Sequence, residues 1–237
     1  MRTSLGAIDY AREPVSLTTG YSQWLRLHSA KLRLPPSVPE VAAGLVIYGP
    51  QTSLVFTIGE GVHAFVLDRR CGSFQLVLPR LAIPEDSTEY AVDASNYRHW
   101  DDSVRAYVDD CMKGEEGPLF RDHNMRWIAS LAADAYRILV RGGVFLSPGD
   151  QRRGYRHGRL SLVCEANPVA FLVEQAGGGA TDTVQRILDL RPKDLHAKTP
   201  IVFGSFAPVQ RISRYHTDPQ YSAERAPLFF QRGLIRR

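Results

Sequence analysis

From Val41 the chain breaks into short apolar runs, VAAGLVIYG, SLVFTIG, VHAFVLD and SFQLVLP, each rich in β-branched and aromatic residues. Such runs predict strands, because these side chains pack well on a pleated surface. Gly49-Pro50, Gly59-Glu60-Gly61 and Arg69-Arg70-Cys71-Gly72 separate them at turn length, so residues 41–78 are expected to form a meander of about four antiparallel strands. A meander of successive hairpins leaves an apolar face that another layer must cover. Residues 1–40 show no sustained period of either kind, and Pro35-Pro36 with Pro39 forbid regular structure at their end.

Further along, the period lengthens. Glu89–Asp93 reads as one more extended segment, and Asp101-Asp102 are placed to cap a helix carrying Val104, Val108 and Cys111 on one face. Met125, Ile128, Ala132, Ala135 and Leu139 recur at helical spacing, and Gly142-Gly143 supplies a left-handed stop, which predicts a helix over 124–141 lying on a sheet. Strands are expected at 144–146 and 160–164, then a helix with Asn167 as N-cap and Pro168 in its first turn, closed by Gly177-Gly178-Gly179, then a strand at 201–203. The result is an α/β chain: an irregular leader at 1–40, a partial antiparallel sheet at 41–83, a mixed-sheet α/β domain at 84–206 and a basic tail at 207–237.

Composition narrows the function classes. With 44% hydrophobic and 23% charged residues the chain is an ordinary globular one. No apolar run approaches the length of a membrane helix and the N-terminus has no signal-peptide pattern, so a cytoplasmic protein is expected. The net charge of +4 is that of residues 207–237, whose six arginines face only Asp218 and Glu224. A solvated tail of this kind does not make a nucleic-acid module. Cys71, Cys111 and Cys164 are far apart, without a CxxC pair, and read as reduced core thiols.

Three long segments carry a resemblance: VAAGLVIYGPQTSLVFTIGEGVHAFVLDR, NMRWIASLAADAYRILVRGGVFL, and CEANPVAFLVEQAGGGATD followed by QRILDL. Together, from about Val41 to about Ser205, they closely resemble class 1 fructose-1,6-bisphosphatases. Arg126-Trp127 and the GYRHGRL loop resemble the bacterial Calvin-cycle type, some of whose members also accept sedoheptulose 1,7-bisphosphate. The resemblance implies a layered sugar-phosphatase fold, here incomplete, a homotetramer, and magnesium-dependent hydrolysis of fructose 1,6-bisphosphate to fructose 6-phosphate and phosphate. Divalent ions would neutralise phosphate oxygens and lower the pKa of an attacking water, so carboxylates at fixed positions are needed.

Carried over residue by residue, the resemblance makes Glu165 of CEANP the Mg2+ carboxylate; without it, an acid at a helix start reads as a dipole partner. Arg126 matches an arginine that reaches a neighbouring subunit's phosphate site, a role suited to a guanidinium fork. Arg159 stands in place of a substrate-binding lysine, Asp93 in place of an asparagine, and Asn96 remains as a donor. Trp127 and Ser147 replace phosphate-binding tyrosines. The family's Asp-Pro-(Leu or Ile)-Asp-Gly-Ser-Ser stretch, with most of its metal carboxylates, does not occur in this sequence.

Other candidates carry less. The seven histidines show no ligand spacing, His63 reads as structural, the glycine triplet follows a helix rather than preceding one, and Ser130 and Ser161 lack a triad context. Two functions therefore stay open: a magnesium-dependent sugar bisphosphatase of carbohydrate metabolism, or a truncated or frame-damaged relative that at most binds sugar phosphate or assembles. No catalytic residue is assigned, turnover is expected to be at most a trace, and the 41–78 meander is expected to be the fastest-exchanging unit.

Overall fold

Every second residue of Ala43–Ile47 (β2) and Ser53–Thr57 (β3) is buried, so the alternation in the sequence is spent on one face of a sheet. The structure, a computed structural model, describes residues 40–218 and the backbone of Thr3–Ala7; expectations for the rest of the leader and for the tail beyond Asp218 lie outside the described residues. Thr3–Ala7 is a strand (β1), although the leader gave no periodic signal. It pairs antiparallel with β2, Thr3 opposite Ile47 and Ala7 opposite Ala43. Val62–Asp68 (β4) and Ser73–Leu81 (β5) complete a five-stranded antiparallel sheet in chain order, which contains the expected four-strand meander.

The second sheet is mixed. Glu89–Val92 (β6), Asn124–Met125 (β7), Val144–Ser147 (β8), Gly179–Thr181 (β10) and Ile201–Gly204 (β12) lie in the order β10-β12-β8-β6-β7. The pairs β10/β12 and β12/β8 are antiparallel, whereas β6 runs parallel to both β8 and β7. Leu160–Ser161 (β9) pairs separately with Lys198–Thr199 (β11). Helices cover both faces of the second sheet. Phe145, Phe203 and Ala91 point into a core shared with the first sheet and with helices Leu131–Arg141 (α2) and Asn167–Gln175 (α3). Val144, Leu146, Val202 and Val92 point the other way, onto Asp102–Met112 (α1) and Phe206–Thr217 (α4). The period of two thus builds a helix–sheet–helix–sheet stack, with Leu45, Val55, Val62, Leu139 and Leu172 fully buried in the layer between the sheets.

Several boundaries differ from expectation. α2 begins at Leu131, not near 124, because Asn124 and Arg126 donate their amides to Thr88 and Tyr90 and extend β6 instead. Ala129 then takes a left-handed turn, φ 62°, ahead of the N-cap position at Ser130. The strand expected over 160–164 stops at Ser161; Leu162–Ala166 form a π-helical turn that runs into α3, so Asn167 is inside the helical run and is not its cap. Asp101 occupies the cap position of α1 without a side-chain cap hydrogen bond. Residues 206–217, counted with the basic tail by charge, form α4, whose Val209, Ile212 and Tyr215 are buried against α1. Of the cysteines only Cys111 is a core thiol; Cys71 and Cys164 are exposed. No helix among the described residues is long and apolar enough to cross a membrane.

Candidate functional site

Asp93 ends β6 and opens a 3-10 helix over Ala94–His99. Its carboxylate accepts from the Ser95 amide (3.2 Å), the Ser95 hydroxyl (2.5 Å) and Asn96 Nδ2 (2.6 Å), so it is turned onto its own turn as a cap. That fixes the Asn96 amide with its oxygen outward. Asn96 Oδ1 accepts from Arg152 Nη2 at 2.7 Å and from Arg159 Nη2 at 3.1 Å. Both guanidiniums also lie on Tyr155, with Arg159 at 4.5 Å and Arg152 at 5.1 Å from the ring centroid.

The loop between β8 and β9 delivers these arginines, and Asp150 organises it. The Asp150 amide donates to Tyr155 O (3.1 Å), the Gln151 amide to His99 O (3.3 Å), and Trp100 bridges to Asp150, which ties the loop to the 3-10 helix. The Asp150 carboxylate accepts from the Arg152 amide (2.9 Å), from its Nε (3.1 Å) and from its Nη2 (2.5 Å), with Arg159 Nη2 at 3.5 Å. The Arg152 hydrogen bonds hold the Asp150 carboxyl at a pKa of about 2, against the opposing effect of burial. Gly158, immediately before Arg159, has φ 76° and lies directly under the Thr199 carbonyl, so no side chain fits there.

Of the residues singled out from the sequence, the structure brings Asp93, Asn96 and Arg159 together and leaves two apart. Arg126 follows β7, and its Nε donates to Glu89 Oε1 at 3.0 Å, at the opposite end of β6 from Asp93 and about 13 Å away along the strand. Glu89 also binds Arg137 (2.5 Å) and Arg141 (3.3 Å). Trp127 packs on Phe145 with ring centroids 5.6 Å apart. Asp150, Arg152 and Tyr155 were missed. The available signal was Asp150-x-Arg152 in the loop after a strand, a spacing that lets a carboxylate accept from the amide and the guanidinium two residues on.

Glu165 lies in the π-helical turn between β9 and α3, where its Oε2 accepts from the Ser161 amide at 2.7 Å while Ser161 Oγ accepts from the Cys164 amide at 3.2 Å. This reciprocal arrangement is that of a capping box drawn out by one residue. Among the described residues no three His, Cys, Asp or Glu side chains gather as a metal site. A magnesium ion needs about six oxygens in near-octahedral array, and the described residues alone do not assemble such a set. Glu165 thus acts as a cap of this turn, and among the described residues it is not part of a three-membered acidic or metal-ligating group.

The family model described as fructose-1-6-bisphosphatase, C-terminal domain, matches residues 83–217, and the one described as fructose-1-6-bisphosphatase, N-terminal domain, matches residues 26–79. The second match begins ahead of Val41, inside the aperiodic leader. A class 1 fructose-1,6-bisphosphatase of Sinorhizobium medicae is 57% identical over 203 residues, 86% of this chain and 58% of that protein. One from Rhodopseudomonas palustris is 52% identical over 197 residues, 83% of this chain and 57% of that protein. Among solved structures, Leishmania major fructose-1,6-bisphosphatase in holo form superposes with a TM-score of 0.70 at 36% identity, covering 74% of this chain and 52% of that one. The chain thus spans a little over half the length of the curated relatives it matches.

Proposed function

Because the chain belongs to the fructose-1,6-bisphosphatase family, we propose that its Asn96–Arg152–Arg159 cluster holds the terminal phosphate of a ketose phosphate, serving the hydrolysis of fructose 1,6-bisphosphate. The observation that carries this reading is the convergence of two guanidiniums on the single amide oxygen of Asn96. A neutral oxygen satisfies them only weakly, and a phosphate presents several charged acceptors to the same forks. Asp93 and Asp150 offset both positive charges, so an anion must compete with the Asp150 pair. The expected affinity is correspondingly modest. Sedoheptulose 1,7-bisphosphate ends in the same phosphate-bearing carbon, and the cluster offers nothing to separate the two sugars. A place in the Calvin cycle and in the cytoplasm is proposed on the resemblance of the sequences.

Arg126 is part of the proposal only across subunits: held by Glu89 at the far end of β6, it serves a neighbour's phosphate site if the chain assembles as a tetramer. Magnesium is proposed on the family resemblance alone, since the described residues do not assemble a metal group, and no hydrolytic step is assigned to them. The absence of an Asp-Pro-(Leu or Ile)-Asp-Gly-Ser-Ser stretch from the sequence favours a second reading, in which the chain binds sugar phosphate without turning it over. Phosphate release from fructose 1,6-bisphosphate with added magnesium separates the two. Sustained turnover, abolished by Arg159→Ala, would eliminate the binding-only reading; binding of fructose 6-phosphate with no turnover would establish it. An affinity unchanged in Arg152→Ala and Arg159→Ala would remove the cluster from the function altogether.

A further inference from the structure

Arg152 and Arg159 converge on Asn96 Oδ1, but they are not held alike. Arg152 is fixed from two sides, by Asn96 at 2.7 Å and by both carboxylate oxygens of Asp150. Arg159 is tied through one nitrogen: its Nη2 lies 3.1 Å from Asn96 Oδ1 and 3.5 Å from Asp150 Oδ2, and its Nε and Nη1 meet no acceptor among the described residues. A guanidinium anchored at a single nitrogen can swing about it, and ordering a swinging fork costs affinity for a pair of phosphate oxygens. The ring of Tyr155 lies under this guanidinium, 4.5 Å from its central carbon to the ring centroid. The ring is itself fixed by the loop. Tyr155 O accepts from the amides of Asp150 (3.1 Å) and Gly158 (3.0 Å), and the Tyr155 amide donates to Arg152 O at 3.1 Å.

We propose that Tyr155 is a positioning residue of the phosphate cluster, its aromatic face holding the Arg159 guanidinium in the plane that leaves Nε and Nη1 open to an incoming phosphate. This rests on the reading of Asn96, Arg152 and Arg159 as a phosphate holder and adds the residue that orients it. Two guanidiniums brought to one oxygen repel each other, and Asp150 engages chiefly Arg152. The negative face of the ring attracts both cations, Arg159 more closely than Arg152. For a site that takes an anion, a ring serves this purpose better than a second carboxylate. A carboxylate would occupy the N–H groups of the fork and repel the phosphate, whereas the ring attracts the cation through its face and leaves those groups to the ligand. With Arg159 38% exposed, the contact is expected to be worth about two- to fivefold in phosphate affinity.

The test is titration of fructose 6-phosphate into the full chain with Tyr155 replaced by phenylalanine, by ring-fluorinated phenylalanines and by leucine. Fluorine withdraws electron density from the ring face at nearly constant shape, so it weakens the attraction for a cation while the packing of the loop is kept. Tyr155→Phe is expected to bind like the wild type, the affinity to fall stepwise with each added fluorine, and Tyr155→Leu to lose about two- to fivefold. In an Arg159→Ala background the same replacements are expected to change nothing further, whereas in Arg152→Ala they keep their effect. Melting temperatures establish that each variant folds, and the fluorinated series carries the test if the leucine variant does not. An affinity indifferent to fluorination, in a protein that Arg159→Ala weakens, overturns the role of Tyr155 and leaves the phosphate cluster standing. A loss in Tyr155→Phe equal to that in Tyr155→Leu overturns it too, because the effect then belongs to the hydroxyl. An affinity unchanged in Arg159→Ala removes the phosphate reading itself, and this inference with it.

Discussion

Replacing Asp150 by asparagine removes the carboxylate that holds the β8–β9 loop, and the structure sets the size and pH range of the effect. The Asp150 side chain is 3% exposed and is bound by Arg152 on both oxygens. Its pKa of about 2, held down first by the Arg152 hydrogen bonds, lies below the ordinary value of about 3.9. That gap corresponds to at most about 2.5 kcal/mol of stability. Arg152 and Arg159 are 35% and 38% exposed, so solvent screening reduces the expected loss in Asp150→Asn to about 1–2 kcal/mol. A depressed carboxylate contributes fully above its unfolded pKa and loses its contribution as the pH falls through the folded one. The wild-type advantage should therefore be constant from pH 7 to about 5, shrink below about pH 4 and be lost as the pH falls through about 2. Urea unfolding of both proteins across this range measures it. A difference that stays the same from pH 7 to pH 2 would refute the reasoning, because it would show that the ionised form of Asp150 stabilises nothing. The same substitution frees both guanidiniums, and fructose 6-phosphate should bind several-fold more tightly despite the weaker fold.

Thr183, a β-branched residue at φ 95°, carries backbone strain of about 1–3 kcal/mol; Thr183→Gly is expected to raise the melting temperature by about 2–4 °C, and an unchanged or lower value would mean that contacts of the threonine outweigh the strain. Cys111 is buried and its thiol is pushed up to about 12 by that burial, so a thiol reagent at mildly alkaline pH should modify Cys71 and Cys164 quickly and Cys111 only after unfolding. Equal reactivity of all three would contradict the packing of α1 against α4. Amides of β5 should exchange fast and those of β2 and β3 slowly, because Leu45 and Val55 share a core with α2 and α3; uniformly fast exchange over 41–78 would restore the expectation drawn from the sequence alone.

That last contrast shows what was legible. β2 to β4 could be read because alternation and turn glycines agree, and the same alternation in β6, β8 and β12 set which side chains face each core. What covers the meander could not be read: the helices that pack on it, α2 and α3, lie about 70 to 130 residues further on, and nothing local joins them to it. Met125 and Ile128 continue the spacing of α2 by coincidence, whereas tertiary pairing with β6 draws residues 124–126 into an extended segment. α4 is masked in the sequence by Arg211 and Arg214, whose charge reads as a solvated tail although Val209, Ile212 and Tyr215 are buried. In the candidate site the sequence indicated Asp93, Asn96 and Arg159, but not that Asp93 caps its own turn, nor that Asp150 and Arg152 complete the cluster. Those facts depend on a loop conformation fixed by contacts with the 3-10 helix.

On the proposed reading, the Asn96–Arg152–Arg159 cluster holds a phosphate through its guanidiniums and without the help of a metal ion. Isothermal titration of fructose 6-phosphate into the wild type and into Arg159→Ala, each with and without magnesium, tests it most directly. Binding to the wild type with the same affinity in both conditions is expected, with a loss of about tenfold or more in the variant, as for a severed charge-assisted contact. Binding that requires magnesium, or that is indifferent to Arg159, would contradict it.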